Sequence, residues 1–273
     1  MDRYAVLGQP VAHSLSPRIH AQFARQAGAE ISYQAIEVAP ANLAERLAEL
    51  HAQGYRGLNL TVPHKAAGAA ACVSAGAAAL RAGAVNTLVR LEQGWHGENT
   101  DGPGLVQDLA GNLGVALAGR RILVLGAGGA ARGIVEPLLR QAPAELVVAG
   151  RNPWKAEELA AAFKTLGPIR PCTFLALKGD RFDIVLNATS AGHRGEAPRL
   201  PAGLLAAGAL AYDLNYGRAA APFLEWAQAQ GAQQRSDGLG MLVEQAAEAF
   251  ALWRGLRPST APVLQALRSD AAG

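Results

Sequence analysis

Short apolar runs broken by polar residues organise the first hundred positions. Residues 4–7, 33–38, 57–62 and 85–91 have the length and branched-residue content of strands. Between them, residues 17–27 and 42–53 repeat apolar positions at helical spacing. Ser16 before Pro17 reads as a helix start, with the serine as N-cap and the proline in the first turn. Residues 94–97 read as a turn after the fourth strand. Alternating strand and helix predicts a mostly parallel sheet covered by helices.

A second series begins near Arg121. Residues 122–125 form a buried-type strand that runs directly into glycine-rich residues 126–129 and a helix to about position 140. Residues 146–149, 183–186 and 209–213 continue as strands. This succession predicts a doubly wound nucleotide-binding sheet. Residues 240–254 repeat apolar positions as a helix, and the polar Gln245 among them suggests a functional face.

A chain of 273 residues is long enough for two such units, each with its own core. Half the residues are apolar and 17% are charged, a globular and not a disordered balance. The net charge of +3 comes from scattered lysines and arginines with no basic run, which argues for a solvated surface and against nucleic acid as partner. Cys72 and Cys172 are distant and form no CxxC, so neither a disulfide framework nor a metal site is expected, and a reducing compartment fits. The start, MDRYAVLGQP, lacks the form of a signal peptide, and no stretch of about 18 apolar residues appears. The expectation is a soluble, cytoplasmic protein.

The sequence Gly126-Ala-Gly128-Gly129-Ala-Ala131 fits G-x-G-x-x-G/A between a strand and a helix. The first glycine serves the tight turn, the second lets the backbone approach a pyrophosphate, and the small third position allows close helix packing. An NAD site commonly places an acid after the next strand. Here Gly150-Arg151-Asn152 follows, and Arg151, with Lys155 a turn later, suits a 2′-phosphate. Elsewhere, Ser14 and Ser16 beside a helix start suit a carboxylate or simply cap the helix. Asn59 and Thr61 fall on one face of a strand where apolar residues would be usual, which suggests a ligand. Lys65 follows them as either a proton carrier or a solvated rim charge. Asn86-Thr87 and Asn99-Thr100-Asp101-Gly102 add polar groups that are individually ordinary turn or cap residues.

Taken together, these segments resemble the shikimate dehydrogenase family. The resemblance spans nearly the whole chain and is carried by His13-Ser-Leu-Ser-Pro17, Asn59-Leu-Thr-Val-Pro-His-Lys65, Gly83-Ala-Val-Asn-Thr87, Asn99-Thr-Asp-Gly102, Gly126-Ala-Gly-Gly-Ala-Ala131, Asn187-Ala-Thr-Ser190 and Asp237-Gly-Leu-Gly-Met241 with Gln245. It implies an α/β protein: a substrate domain over residues 1–103 and 238–273, a Rossmann-like NADP domain over 104–237, and a C-terminal helix returning to the first. It further implies reversible NADP-dependent reduction of 3-dehydroshikimate to shikimate, on the route to chorismate and the aromatic amino acids. By the same resemblance Lys65 and Asp101 form the catalytic pair. Ser14 and Ser16 hold the substrate carboxylate. Thr61, Asn86, Asp101 and Gln245 bind its hydroxyls and reacting oxygen, with Tyr216 nearby. Gly126, Ala127, Gly128, Gly129, Ala130, Arg151, Asn152 and Lys155 hold NADP, with Thr189, Gly238 and Met241 toward its nicotinamide end. No metal is implied, and the chain is expected as a monomer or homodimer.

Two positions depart from the family pattern. Gly150-Arg151-Asn152 replaces a common Asn-Arg-Thr, which keeps the arginine and alters adenine-side contacts. Ala221-Pro222 replaces a Thr-Pro pair after the tyrosine. The rival readings are a quinate/shikimate dehydrogenase with broader substrate or cofactor use, and a non-catalytic NADPH sensor on the same fold. Arg151 without a neighbouring acid argues against NAD use, and a sensor needs neither Lys65 nor Asp101.

Overall fold

A computed structural model describes residues 1–272, with side chains through Asp270, so Gly273 of the expected first domain lies outside the described residues. The chain divides into two compact units, residues 1–104 with 242–273, and residues 105–241.

In the first unit the strands are β1 (Asp2–Gly8), β2 (Ile31–Glu37), β3 (Gly57–Leu60), β4 (Ser74–Ala75), β5 (Thr87–Leu91) and β6 (Gly94–Glu98). They form one sheet in the order β2-β1-β3-β5-β6-β4. Pairs β1/β2, β1/β3 and β4/β6 are parallel, while β3/β5 and β5/β6 are antiparallel. The sheet is therefore mixed, with three of its five pairings parallel. The expected turn at 94–97 is instead strand β6. The reversal is tighter, at Glu92-Gln93, and the following residues pair with β5. Gly94 and Gly97 had signalled a turn, but hairpin pairing overrode that local preference.

Period two in the strands gives this sheet two different faces. Ala5, Leu7, Leu58, Leu60 and Leu88 face a core closed by Leu43, Leu47 and Leu50 of α2 (Leu43–Ala52). The alternate residues meet α1 (Ser16–Gln26), which buries Ile19, His20 and Phe23, and α9 (Leu239–Arg254), which brings Phe250 and Trp253. Tyr4 lies 4.8 Å from Trp253, centroid to centroid, and the Trp253 indole N–H donates to the Leu88 carbonyl at 2.9 Å. Short helices α3 (Lys65–Ala70), α4 (Ala77–Ala82) and α5 (Asp101–Gln107) complete the unit, and α5 passes into a π-helical turn at Asp108–Asn112.

The second unit is a parallel sheet of β7 (Arg121–Leu125), β8 (Glu145–Gly150), β9 (Ile169–Thr173), β10 (Phe182–Asn187), β11 (Leu205–Asp213) and β12 (Gln234–Ser236). The order is β12-β11-β10-β7-β8-β9, with every pairing parallel, which is the Rossmann order. Its helices are α6 (Gly129–Leu139), α7 (Pro153–Phe163) and α8 (Ala221–Ala229). Near-continuous apolar strands such as Leu146–Ala149 are buried on both sides. Among the described residues no helix is long and apolar enough to cross a membrane.

His20 is fully buried, and neither ring nitrogen has a hydrogen-bond partner. Burial lowers its pKa from 6.5 to about 3, so the folded imidazole is neutral. Between those values the unfolded chain binds the proton and the folded chain does not. The His20 contribution is complete above pH 6.5 and falls by about 1.4 kcal/mol per unit below it. Urea unfolding at pH 7.5 and pH 5 will show wild type losing about 2 kcal/mol more than His20→Leu over that interval. Equal losses would mean that the ring is protonated, and therefore partnered, in the fold.

Candidate functional site

In the first unit, polar side chains gather on the sheet face covered by α1 and α9. Lys65 opens α3 and Asp101 opens α5, and the Lys65 ammonium donates to Asp101 Oδ2 at 2.5 Å. Their side chains are 16% and 6% exposed, so the ion pair is largely withdrawn from water. Such a pair persists when its remaining lone pairs are satisfied. Asn86 does this for the carboxylate, donating from Nδ2 to Asp101 Oδ1 at 2.8 Å. The Asp101 amide N–H is held by Asn99 Oδ1 at 3.1 Å.

Asn86 is fixed in turn. Its Oδ1 accepts from the Thr100 amide at 2.7 Å and from the Thr87 hydroxyl at 3.0 Å, and its Nδ2 also reaches Gln245 Oε1 at 3.3 Å. Gln245 arrives from α9, far along the chain. It comes this close because Gly104 has no side chain: a Cβ there would lie 2.6 Å from the Gln245 amide nitrogen and 2.7 Å from its Cβ. Thr61 follows β3 directly and is half-buried, with its amide donating to the Leu7 carbonyl.

Two sequence expectations need correction. Ser16 is the first helical residue and not the N-cap. Leu15 takes the cap position, and it is the Ser14 hydroxyl oxygen that accepts the Ser16 amide, at 3.2 Å. That leaves the Ser14 O–H for another acceptor. Asn59 is polar for an internal reason: its Nδ2 donates to the Asn86 carbonyl and Thr87 Oγ1, both at 3.1 Å, and its Oδ1 accepts from Tyr33. It supports the pair from beneath and offers nothing to a ligand. Tyr33 and Thr87 belong to the same network. In the sequence Thr87 is one of several polar groups that individually suit a turn or cap. Tyr33 carried no signal at all, because an aromatic residue in a strand reads as core.

In the second unit the glycine-rich turn follows β7. Gly126 has φ +107°, and a Cβ there would press on the Ala188 carbonyl oxygen at 3.1 Å, so only glycine makes this turn without strain. Ala127 and Ala130 are half-buried. Gly128 precedes α6 without a side-chain cap, and a Cβ on it would meet nothing within 4 Å. Gly129 is the first residue of α6. The helix therefore presents its first amides to open space, an arrangement suited to a phosphate. Arg151 and Lys155 are exposed beyond β8, with no acid between them. Asn152 caps α7, its Oδ1 accepting the Trp154 amide at 3.0 Å.

At the next crossover, Thr189 donates from both its amide and its hydroxyl to Asn187 Oδ1, at 3.1 and 2.8 Å. Asn187 Nδ2 donates to buried Asp213 at 2.7 Å, and Asn215 gives the other oxygen two bonds at 2.8 Å. Burial pushes the Asp213 pKa up to about 6 even against these bonds. Sequence reading missed Asp213 and Asn215, which hold the Thr189 loop. Gly238 donates its amide to the Asn215 carbonyl, Met241 is buried, and Tyr216 is half-exposed before a 3-10 turn at Gly217–Ala219. Tyr216, Gly238 and Met241 belong to the second unit, whereas Ser14, Ser16, Thr61, Lys65, Asn86, Asp101 and Gln245 belong to the first. Among the described residues no cluster of His, Cys, Asp and Glu could hold a metal ion.

The Rossmann sheet with its uncapped glycine turn defines an α/β protein of the nucleotide-binding class, and the other unit adds a buried Lys–Asp pair. Comparison with known proteins narrows the class. Residues 6–88 match the shikimate dehydrogenase substrate-binding domain, residues 108–194 match shikimate / quinate 5-dehydrogenase, and residues 238–268 match the shikimate 5′-dehydrogenase C-terminal domain. The chain is 51% identical over 271 residues to a shikimate dehydrogenase (NADP+) of Nitrosospira multiformis, covering 98% of each. A crystal structure of an Ael1 enzyme from Pseudomonas putida superposes with a TM-score of 0.90 at 42% identity, covering 98% of each chain. A Thermus thermophilus shikimate 5-dehydrogenase, in complex with NADP(H) and shikimate, gives 0.84 at 38% identity, covering 98% of this chain and 99% of that one. The chain belongs to the shikimate dehydrogenase family.

The packing at Gly104 makes a direct prediction. Gly104→Ala must push α9 away, because the atoms in its path are the backbone of Gln245. Overpacking of this kind costs about 1–3 kcal/mol, so urea midpoints should fall and the Asn86–Gln245 contact should open. Wild-type stability in Gly104→Ala would show that the contact is looser than drawn.

Proposed function

We propose that the chain catalyses the reversible NADP-dependent reduction of 3-dehydroshikimate to shikimate, a step toward chorismate and the aromatic amino acids. One observation carries the reading: a buried Lys65–Asp101 pair set among neutral amides and hydroxyls, in a chain of this family. NADPH, when bound, supplies the hydride to the carbonyl carbon. What remains for the protein is to hold the substrate, meet the charge that develops on the carbonyl oxygen, and deliver a proton to it.

Lys65 does both of the last two. Its ammonium stabilises the developing oxyanion and passes a proton to it as the carbon–oxygen double bond becomes a single bond. In the oxidative direction the neutral amine takes that proton back. Asp101 orients Lys65 and accepts a hydrogen bond from a substrate hydroxyl. Thr61, Asn86 and Gln245 bond the remaining hydroxyls. Such a site rejects analogues that leave its buried polar groups unpaired. Ser14 and Ser16 hold the carboxylate, and Tyr216 is assigned to the substrate by the family resemblance alone. On the cofactor side the turn from Gly126 through Ala130 receives the pyrophosphate. Arg151 and Lys155 pair with the 2′-phosphate, Asn152 shapes that loop, and Thr189, Gly238 and Met241 line the nicotinamide end.

Steady-state turnover of shikimate with NADP tests the reading, and repeating the assay with quinate and with NAD tests its specificity. Lys65→Ala should lower kcat by about 10²–10⁴-fold with a modest change in shikimate KM. Asp101→Ala should lower kcat as well, and the double variant should fall far short of the product of the two losses. A folded Lys65→Ala enzyme with near-normal kcat would remove Lys65 from the chemistry.

Arg151→Ala should raise KM for NADP much more than for NAD, and equal effects would remove Arg151 from 2′-phosphate recognition. Ser14→Ala should weaken shikimate binding by about 1–3 kcal/mol, seen as a raised KM.

A further inference from the structure

Tyr33 stands on β2 and has no role among the residues proposed above to touch substrate, yet its hydroxyl closes the buried end of the first unit's polar network. It donates to Asn59 Oδ1 at 2.7 Å. We propose that Tyr33 is a positioning residue, whose hydroxyl holds the buried end of a hydrogen-bond chain that ends on Asp101.

The chain can be followed donor by donor. With Oδ1 filled by Tyr33, Asn59 turns its NH2 to the Asn86 carbonyl and to Thr87 Oγ1, at 3.1 Å each. The Thr87 hydroxyl, accepting there, reaches Asn86 Oδ1 as a donor at 3.0 Å and lies 3.1 Å from the Thr100 hydroxyl. Asn86 Oδ1 also takes the Thr100 amide at 2.7 Å, so Asn86 faces Asp101 with its NH2, at 2.8 Å from Oδ1. Asp101 Oδ2 is left for Lys65 at 2.5 Å. Without the Tyr33 hydroxyl, Asn59 Oδ1 would be buried with no donor. The amide would keep its bonds to the Asn86 carbonyl and Thr87 but lose the partner that fixes its other edge, which loosens the chain at its first link.

The surroundings suit a fixed donor. Tyr33 is sealed by the His20 ring, stacked at 4.2 Å and 9°, and neither ring nitrogen has a hydrogen-bond partner, so the imidazole does not compete for the hydroxyl. Burial raises the phenol's pKa well above its ordinary value, which keeps the proton on. The Tyr33 hydrogen is committed to Asn59, so the chain toward Asp101 is organised before substrate binds.

The inference rests on the proposed function for its kinetic test and on the geometry alone for its spectroscopic one. Tyr33→Phe and Thr87→Val are close in shape to the residues they replace and cut the chain at two points. Each should lower kcat for shikimate about 3–10-fold with NADP KM unchanged, the usual worth of one neutral hydrogen bond. The double variant should be no slower than the slower single, because the residues act in series. In protein labelled with ¹⁵N-asparagine, the side-chain NH2 signal of Asn86 should shift in Tyr33→Phe, although Tyr33 does not touch it. Losses that multiply in the double variant, or an unmoved Asn86 signal, would overturn the proposal. Should wild type fail to turn over shikimate, the proposed function falls. The Asn86 signal then decides the relay by itself.

Discussion

A carboxylate 4% exposed has to be satisfied by the protein around it, and the way Asp101 is satisfied organises the first unit. Its two oxygens take different partners: one a cation, Lys65, and the other a neutral amide, Asn86. The amide in turn has to be held with its NH2 and not its oxygen toward the acid. Thr87, Thr100 and Asn59 do that, and each is itself buried. A single ion pair thus accounts for the polar residues Asn59 and Thr87 on a strand face that is otherwise apolar. Elsewhere the same sheet is filled with leucine and aromatic rings.

The fold accommodates this through two devices. Pairing of Asn59 with Thr87 in the antiparallel β3/β5 register sets their side chains beside one another on the face under α1 and α9. The opposite face of the same strands carries Leu58, Leu60 and Leu88 into the α2 core, so the polar face takes nothing from the apolar packing. The second device is the missing side chain at Gly104, which lets α9 deliver Gln245 to Asn86 from more than a hundred residues away. The aromatic cluster of Tyr4, His20, Phe23, Phe250 and Trp253 anchors that helix and keeps water from the polar chain beneath it.

Most of this was legible where chemistry and local geometry coincide. The glycine turn was, because strand, turn and helix must follow one another in sequence for the motif to work. So were Lys65, Asp101, Asn86 and Gln245, but only through family resemblance, since each alone reads as a turn or a solvated charge. What escaped was set by pairing. Residues 94–97 carry two glycines and have the local signature of a turn, but pairing with β5 makes them a strand. β9 contains Pro171 and is half-exposed at a sheet edge, and β12 is three residues long, so neither has a pattern strong enough to read. Ser16 before Pro17 is a sound N-cap signal. The chain shifts the cap by one residue, to Leu15, and it is Ser14 that reaches the Ser16 amide.

Asn59 shows most clearly why sequence reasoning stops where it does. A polar residue on a buried strand face has two explanations, a ligand or another polar residue. Only the partner's position distinguishes them, and that position is a tertiary fact. Here the partners are Tyr33, Asn86 and Thr87, so the polarity of Asn59 is spent inside the protein. The requirement still originates at the site: were Asp101 and Lys65 apolar, Asn86 would need no fixed direction and Asn59 would have nothing to hold. Polar residues that never meet substrate are in this sense set by the chemistry, through one buried acid and the rule that every donor facing it must itself be held.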